Sequence, residues 1–565
     1  MSKSLEEYTK EELIQMVKSL KIRKKFGLVW EEKPEDVARN FEIEIPVLEE
    51  VTEREIKNGT NSPTHLIVEG DNYHSLAALN YTHAGCIDVI YADPPYNTGS
   101  NTWIYNNKIV DSNDMYRHSK WLSFMRKRLE LALNLLKDSG IIVVTIDDYE
   151  LFTLGLLMDE IFGEENKIGV IVVENNPRGR TSNKFYATSH EYYLIYAKNI
   201  VEADISAMPL TEDQASVFKF EDEISFYRLL PLRKSGAASR KADRPKQFYP
   251  IYVNPETLSG TLTKSEKFDE VWPIDESGTE RVWKIGTVKC SEYLNDGTIV
   301  IKRDKAGKYS FSVKDRIKVG RKPKTVWVDP AYDASSHGAT LLLKMFGQKV
   351  FDYPKSLWAV RDFLYTVVAK NSEAIVLDFF AGSGTTGHAV LELNKQDNGT
   401  RQFILCTNNE NNIAENVTHQ RIEKVVQGYS GVKGIPANVR YFRTKFVRRE
   451  KTADQTRFEL AKQCSNLIRI KDCVFENLKE SELFNIYRGD KCYSAIIFDS
   501  SQIARCIAEI ENFDTQLPVN LYIFSYSAYA FDNDIPQTVL NYEVFALPEG
   551  LLETYERTLR LELNR

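Results

Sequence analysis

The chain of 565 residues carries a formal net charge of −7, with 42% hydrophobic and 27% charged residues, the composition of a globular protein of about two to four domains. Its longest apolar runs, such as Ile141–Val144, are too short to span a bilayer, and its N-terminus lacks the basic start and apolar stretch of a secretory signal. The cysteines form no Cys-x-x-Cys pair, which argues against a zinc ribbon or a disulfide framework, so no metal is expected and the cytoplasm is the default location.

Residues 1–60 are predicted to open with a helix: Thr9 and Glu12 have capping-box spacing, and Leu13, Met16, Val17 and Leu20 share one apolar face. From 61 to 200 strands and helices alternate. The strand-like run Ile87–Tyr91 leads into Asp93-Pro94-Pro95-Tyr96. A helix is expected over His118–Asp138, burying Trp121, Leu122, Met125, Leu129, Leu133 and Leu136. Gly140 stops it ahead of a strand from Ile141 to Ile146. Val170–Val173 and Tyr192–Tyr196 read as two more strands, with Pro177-Arg178-Gly179-Arg180 in the loop between them.

Residues 201–330 change to short alternating segments punctuated by Gly and Pro, which suits a separate α+β insert, since a loop of that length without its own fold is improbable. Between Arg228 and Lys246, the cations Arg228, Arg233, Lys234, Arg240, Lys241, Arg244 and Lys246 face only Asp243. A second basic run fills Lys302–Lys324. One such run is ordinarily a solvated face; two in one insert point to phosphate contact. Residues 331–435 return to strand-helix alternation, with strands at Glu373–Phe380 and Gln402–Thr407 around a helix at Gly384–Asn394. Residues 436–565 alternate weakly, as in a small domain for partner or DNA contacts. The whole reads as an α/β chain: a doubly wound, Rossmann-like sheet with an inserted α+β domain and a small C-terminal α+β domain.

Two motifs carry chemistry, each at the end of an apolar run. Asp378-Phe379-Phe380-Ala381-Gly382-Ser383-Gly384 follows Ala374–Leu377. Doubly wound sheets bind ligands outside the carboxyl ends of their strands, and glycines there let backbone approach a nucleotide-like cofactor. Asp378 sits at the strand end, and Glu410 follows the next strand, where ribose hydroxyls are bound; Asn408 and Asn409 compete with it for that role. The Asp93-Pro94-Pro95-Tyr96 turn offers an acceptor, a stiff backbone and an aromatic face for an extruded base. An exocyclic amine is a poor nucleophile because its lone pair is delocalised into the ring. Hydrogen bonds from its N–H groups to the Asp93 carboxylate and the Pro94 carbonyl would localise that pair for attack on a methyl group.

This pair of motifs resembles the amino-methyltransferases of DNA, which use S-adenosylmethionine. The order, with the catalytic turn first and a long segment between, is similar to the modification subunits of type III restriction-modification systems. Leu66–Asn72 and Asp93–Gly99 are especially like them, and the resemblance spans roughly residues 60 to 435. It implies an aromatic residue beside the cofactor at Phe380 and a target-recognition role for the insert. Phe351-Asp352-Tyr353-Pro354-Lys355-Ser356 is similar to the segment that closes over the methionine end of the cofactor, which would place Pro354 and Lys355 there, with Asp71 and Asn72 as further contacts. It also implies double-stranded DNA as substrate, a homodimer, and a separate helicase-nuclease restriction subunit as partner.

Other signals are declined. His190-Glu191 lacks the second His of a metalloprotease helix, Gly307-Lys308 lacks the spacing of a phosphate loop, and His388 reads as packing. Glu415-Asn416-Val417 is similar to a segment of cytosine-C5 methyltransferases, but no cysteine follows a proline. The expected activity is adenine N6 methylation of DNA. Cytosine N4 methylation, a stand-alone methyltransferase and a recognition subunit with a vestigial methyltransferase fold remain alternatives.

Overall fold

The computed structural model describes residues 30, 35 and 43–563, except 60–61, 99–103, 106–107, 110–113, 180–184, 514–515, 527–530 and 532–533. The expected N-terminal helix, Gly99 and Arg180 lie outside the described residues. The chain divides into two compact units, one formed by 1–206 with 324–565 and the other by 207–323.

The first unit is built on an 11-stranded sheet. Ten of its strands are β1 (Glu44–Glu50), β2 (Thr64–Glu69), β3 (Ile87–Ala92), β4 (Leu136–Ile146), β5 (Lys167–Val173), β6 (Glu191–Ala197), β7 (Val326–Trp327), β8 (Ile375–Asp378), β9 (Gln402–Thr407) and β10 (Asn438–Arg448), and Ile56–Lys57 pairs beside β10. Their order is β1-β10-β2-β9-β8-β3-β4-β6-β5-β7. From β10 through β4 every pair is parallel; β1 and β6 run against their neighbours. The central strands are apolar on both faces, as a sheet covered on both sides requires. One face packs against helices α1 (Asn72–Thr82), α2 (Arg117–Leu135) and α3 (Leu151–Phe162) through Leu76, Trp121, Met125 and Leu154. The other packs against α4 (Leu357–Val368), α5 (Thr385–Asp397) and α6 (Gln420–Gln427) through Val360, Phe363, Val390 and Ile422.

Three elements depart from the sequence reading. The helix expected to Asp138 ends at Leu135, and Leu136 begins β4 by pairing with Ile87. Gly140 lies inside β4, where a side chain would come within 2.8 Å of the Lys137 carbonyl and 3.0 Å of the Ile87 carbonyl. The strand expected over Glu373–Phe380 is only Ile375–Asp378, because Phe379 to Gly384 leave the sheet in a turn. Asn438–Arg448, placed by the sequence reading in a C-terminal domain, is a strand of the main sheet, second from its edge and paired with β1 and β2. The remaining C-terminal residues form a separate five-stranded sheet within the same unit.

The second unit holds a four-stranded and a three-stranded antiparallel sheet, with a core of its own around Leu232, Ile251, Trp283, Cys290 and Phe311. Among the described residues, no helix is long and apolar enough to cross a membrane.

Candidate active site

The two motifs, remote in sequence, meet because β3 and β8 are parallel neighbours, with Val89 opposite Val376 and Ile90 opposite Leu377. The chain leaves β3 toward β4 and leaves β8 toward β9, on opposite sides, so Asp93 and Asp378 flank the switch point of the sheet. That crevice is where open α/β sheets bind ligands.

The Asp93 turn is fixed from several sides. Thr145 Oγ1, on β4, donates to Asp93 Oδ1 at 2.6 Å. The Trp121 indole N–H, on α2, donates to the Pro95 carbonyl at 2.7 Å. Pro94 is buried, and Asn97, at φ 55°, donates its amide to the buried Glu150. A carboxylate, a lysine and a phenol crowd the same place. Lys355 Nζ lies 3.0 Å from Asp93 Oδ1 and 2.6 Å from Glu191 Oε2. The Tyr96 hydroxyl donates to Glu191 Oε2 at 3.0 Å and also meets Lys355 Nζ, which stands 4.6 Å from the centroid of the Tyr96 ring. Burial alone would depress the Lys355 ammonium, but Asp93 and Glu191 reverse that and raise its pKa. Burial, then Asp93 and Glu191, push the Tyr96 phenol well above its ordinary value, so it stays neutral.

The glycine turn is held as firmly. Asp378 Oδ1 accepts from the Phe380 amide at 2.9 Å, and Oδ2 accepts from Thr386 Oγ1 at 2.5 Å. Gly382 and Gly384 take positive φ of 47° and 75°, a conformation that side chains disfavour. Thr418 Oγ1 donates to the Gly382 carbonyl at 2.6 Å, and the buried Arg421 donates to Ser383 O at 3.2 Å and Thr385 Oγ1 at 2.7 Å. Desolvation pulls the Arg421 pKa down to about 9. Phe380 packs on Phe124 and Phe379. The neighbouring turn joins in: Asn72 Nδ2 donates to the Phe379 carbonyl at 2.9 Å, and Asp71 caps α1 by accepting from the Tyr73 amide at 2.8 Å. Arg128, buried in α2, binds Asp71, Asn72 and Glu35 together.

The positions expected at this site therefore fall into two groups. Asp93, Pro94, Pro95, Tyr96, Asp378, Phe380, Gly382, Gly384, Asp71 and Asn72 gather at the carboxyl ends of β2, β3 and β8. Lys355, expected at the cofactor with Pro354, contacts Asp93 and Tyr96 of the catalytic turn. Glu410 is exposed in the short turn after β9. Sequence reasoning missed Glu191, Thr145, Trp121 and Arg421. Only Glu191 leaves a sequence trace, as an acid beside His190 that interrupts the opening of an aromatic strand. The basic residues of the insert lie in the second unit. There Lys241 pairs with Glu280 at 3.1 Å and Arg233 Nη1 donates to the Ile274 carbonyl at 2.5 Å, while Lys234, Arg240 and Arg244 form no ion pair among the described residues.

Comparison with known proteins gives this arrangement a family. A family model of N6/N4-type DNA methylases matches residues 87–418. The chain is 39% identical over 365 residues to the type II methyltransferase M.KpnI of Klebsiella pneumoniae, covering 63% of this chain and 84% of that protein. It is 30% identical over 439 residues to the Mod subunit of the type III restriction-modification enzyme EcoPI of Escherichia phage P1, covering 71% and 67%. The solved M1.HpyAVI–SAM complex aligns with 63% of the chain at 14% identity and a TM-score of 0.28. By the family match across more than half its length, and by the relatives that share it, this chain belongs to the N6/N4 DNA methylase family.

Proposed function

We propose that the chain transfers the methyl group of S-adenosylmethionine to the N6 amine of adenine in double-stranded DNA. The meeting of Asp93 with the glycine turn at the ends of adjacent strands carries this reading. The donor set fits the cofactor: the turn after β8 bears no side chain at Gly382 and Gly384, and the Asp93 carboxylate stands at the end of the adjacent strand, which suits a ligand bearing a sulfonium charge. When bound, S-adenosylmethionine supplies an electrophilic methyl group. Asp93 Oδ1 is held by Thr145 and Lys355, and Oδ2 remains to accept one N–H of the amine, with the Pro94 carbonyl as the second acceptor. Trp121 and the prolines keep those acceptors preorganised, which is where a positioned site gains most. The Tyr96 ring flanks the extruded base, and the Asp93 carboxylate is placed to take the proton that the methylated amine releases.

In this reading the 207–323 unit supplies target recognition. Similarity to type III Mod subunits supports a homodimeric modification subunit served by a separate helicase-nuclease; similarity to M.KpnI supports a type II enzyme acting alone. Methylome sequencing of DNA from a methylation-free host expressing this chain separates them. N6-methyladenine on one strand of an asymmetric site is the expected result. Both strands of a palindrome is the type II outcome, and N4-methylcytosine, or no methylation, refutes the proposal.

A further inference from the structure

Three charged groups meet where methyl transfer requires only one. Lys355 has 12% of its side chain exposed, Glu191 4% and Asp93 26%, and the ammonium lies between the two carboxylates. Buried charges are costly unless compensated, and these three compensate unevenly. The ammonium is closer to Glu191, at 2.6 Å, than to Asp93, at 3.0 Å. One cation between two carboxylates leaves a net charge of −1. A lysine bound to Asp93 alone would neutralise the acceptor in a closed ion pair and leave no net negative charge beside a cationic methyl donor. Without the lysine, two carboxylates would share a buried pocket and one would take up a proton.

We propose that Glu191 and Lys355 are a positioning pair, neither of them a cofactor ligand: Lys355 holds Asp93 Oδ1 in an ion pair, and Glu191 draws Lys355 off Asp93 far enough to leave it an effective acceptor while orienting Tyr96. This rests on the assignment of Asp93 as the amine acceptor. The other groups facing the cluster are Tyr91 and Tyr193, whose hydroxyls bond each other at 3.1 Å, Tyr96, Thr145 and Asp378. Burial keeps the tyrosines neutral, so among groups titrating below neutrality the carboxylates decide the acid limb of the pH–rate profile.

The pair predicts opposite shifts for its two members. In the full-length protein, Lys355→Met should move the acid limb of kcat to higher pH by about one unit or more, with kcat at neutral pH down about tenfold. Glu191→Gln should lower kcat while moving that limb to lower pH, because Lys355 then closes on Asp93. The double variant, lacking both charges, should recover much of what Lys355→Met loses. S-adenosylmethionine affinity by calorimetry should stay within about threefold throughout, with thermal melting as the check on folding. If Lys355→Met does not fold, Glu191→Gln alone decides through the direction of its shift. Unmoved limbs, a double variant no better than Lys355→Met, or a loss of cofactor affinity with kcat intact would overturn the proposal. Full activity of Asp93→Ala would overturn the acceptor assignment instead.

Discussion

Asp93 and Asp378 are the same residue type at the ends of neighbouring strands, and their surroundings give them different work. Asp93 is half-buried, and Thr145 and Lys355 hold only its Oδ1. Asp93→Ala should therefore leave DNA binding largely intact and lower methyl transfer at least about a hundredfold, the scale of removing one preorganised partner; single-turnover transfer of labelled methyl groups measures it. Asp378 is buried, with both oxygens occupied by the turn, and burial raises its pKa to about 7. A carboxyl raised in the folded state stabilises the fold fully below the ordinary carboxyl range, and that contribution is lost as pH rises through about 7. Asp378→Asn removes this titration. The wild type should lose melting temperature relative to Asp378→Asn between about pH 4 and 7, and parallel curves would exclude the raised carboxyl.

At the scale of elements, the turn from Phe379 to Gly384 is positioned from both directions of the chain, by Asn72 before it and by Thr418 and Arg421 after it. A side chain at Gly382 would sit in a left-handed conformation costing about 1–2 kcal/mol and meet the Phe351 ring at 3.2 Å. Gly382→Val should weaken S-adenosylmethionine binding at least about tenfold, a loss of about 1.4 kcal/mol, and undiminished affinity in a folded variant would remove the turn from the cofactor site. In the insert, replacing Arg233, Lys234, Arg240 and Lys241 by Ala should weaken DNA binding and flatten its salt dependence by a slope of about 0.9 for each phosphate no longer neutralised. The structure tempers the share expected of Lys241 and Arg233, whose cations already have partners within the unit. Titrations of binding against salt measure this, and an unchanged slope would make these charges a solvated face.

At the scale of the whole molecule, the 207–323 unit, which falls in sequence between β6 and β7, has its own core, as a separate recognition module would require. Under the type III reading the purified chain should sediment as a dimer and hydrolyse no ATP. A fully active monomer in analytical ultracentrifugation would favour an enzyme acting alone. ATP hydrolysis by the pure chain would contradict the assignment of that step to a separate subunit.

The sequence by itself determined the alternation of strand and helix and the two turns, because these are local. Apolar runs such as Ile87–Tyr91 and Ile375–Leu377 declare buried strands, and Asp-Pro-Pro-Tyr and Gly-x-Gly declare what their backbones can present. Only the tertiary structure decided which strands are neighbours, because pairing depends on the packing of both sheet faces. It drew Asn438–Arg448 into the main sheet against β2, ended the long helix at Leu135 so that Leu136 could pair with Ile87, and made the ends of β3 and β8 adjacent. It also set Lys355 against Asp93 and brought Glu191 to it. A buried charge declares itself only through the partner that compensates it, and these partners lie far apart in the chain.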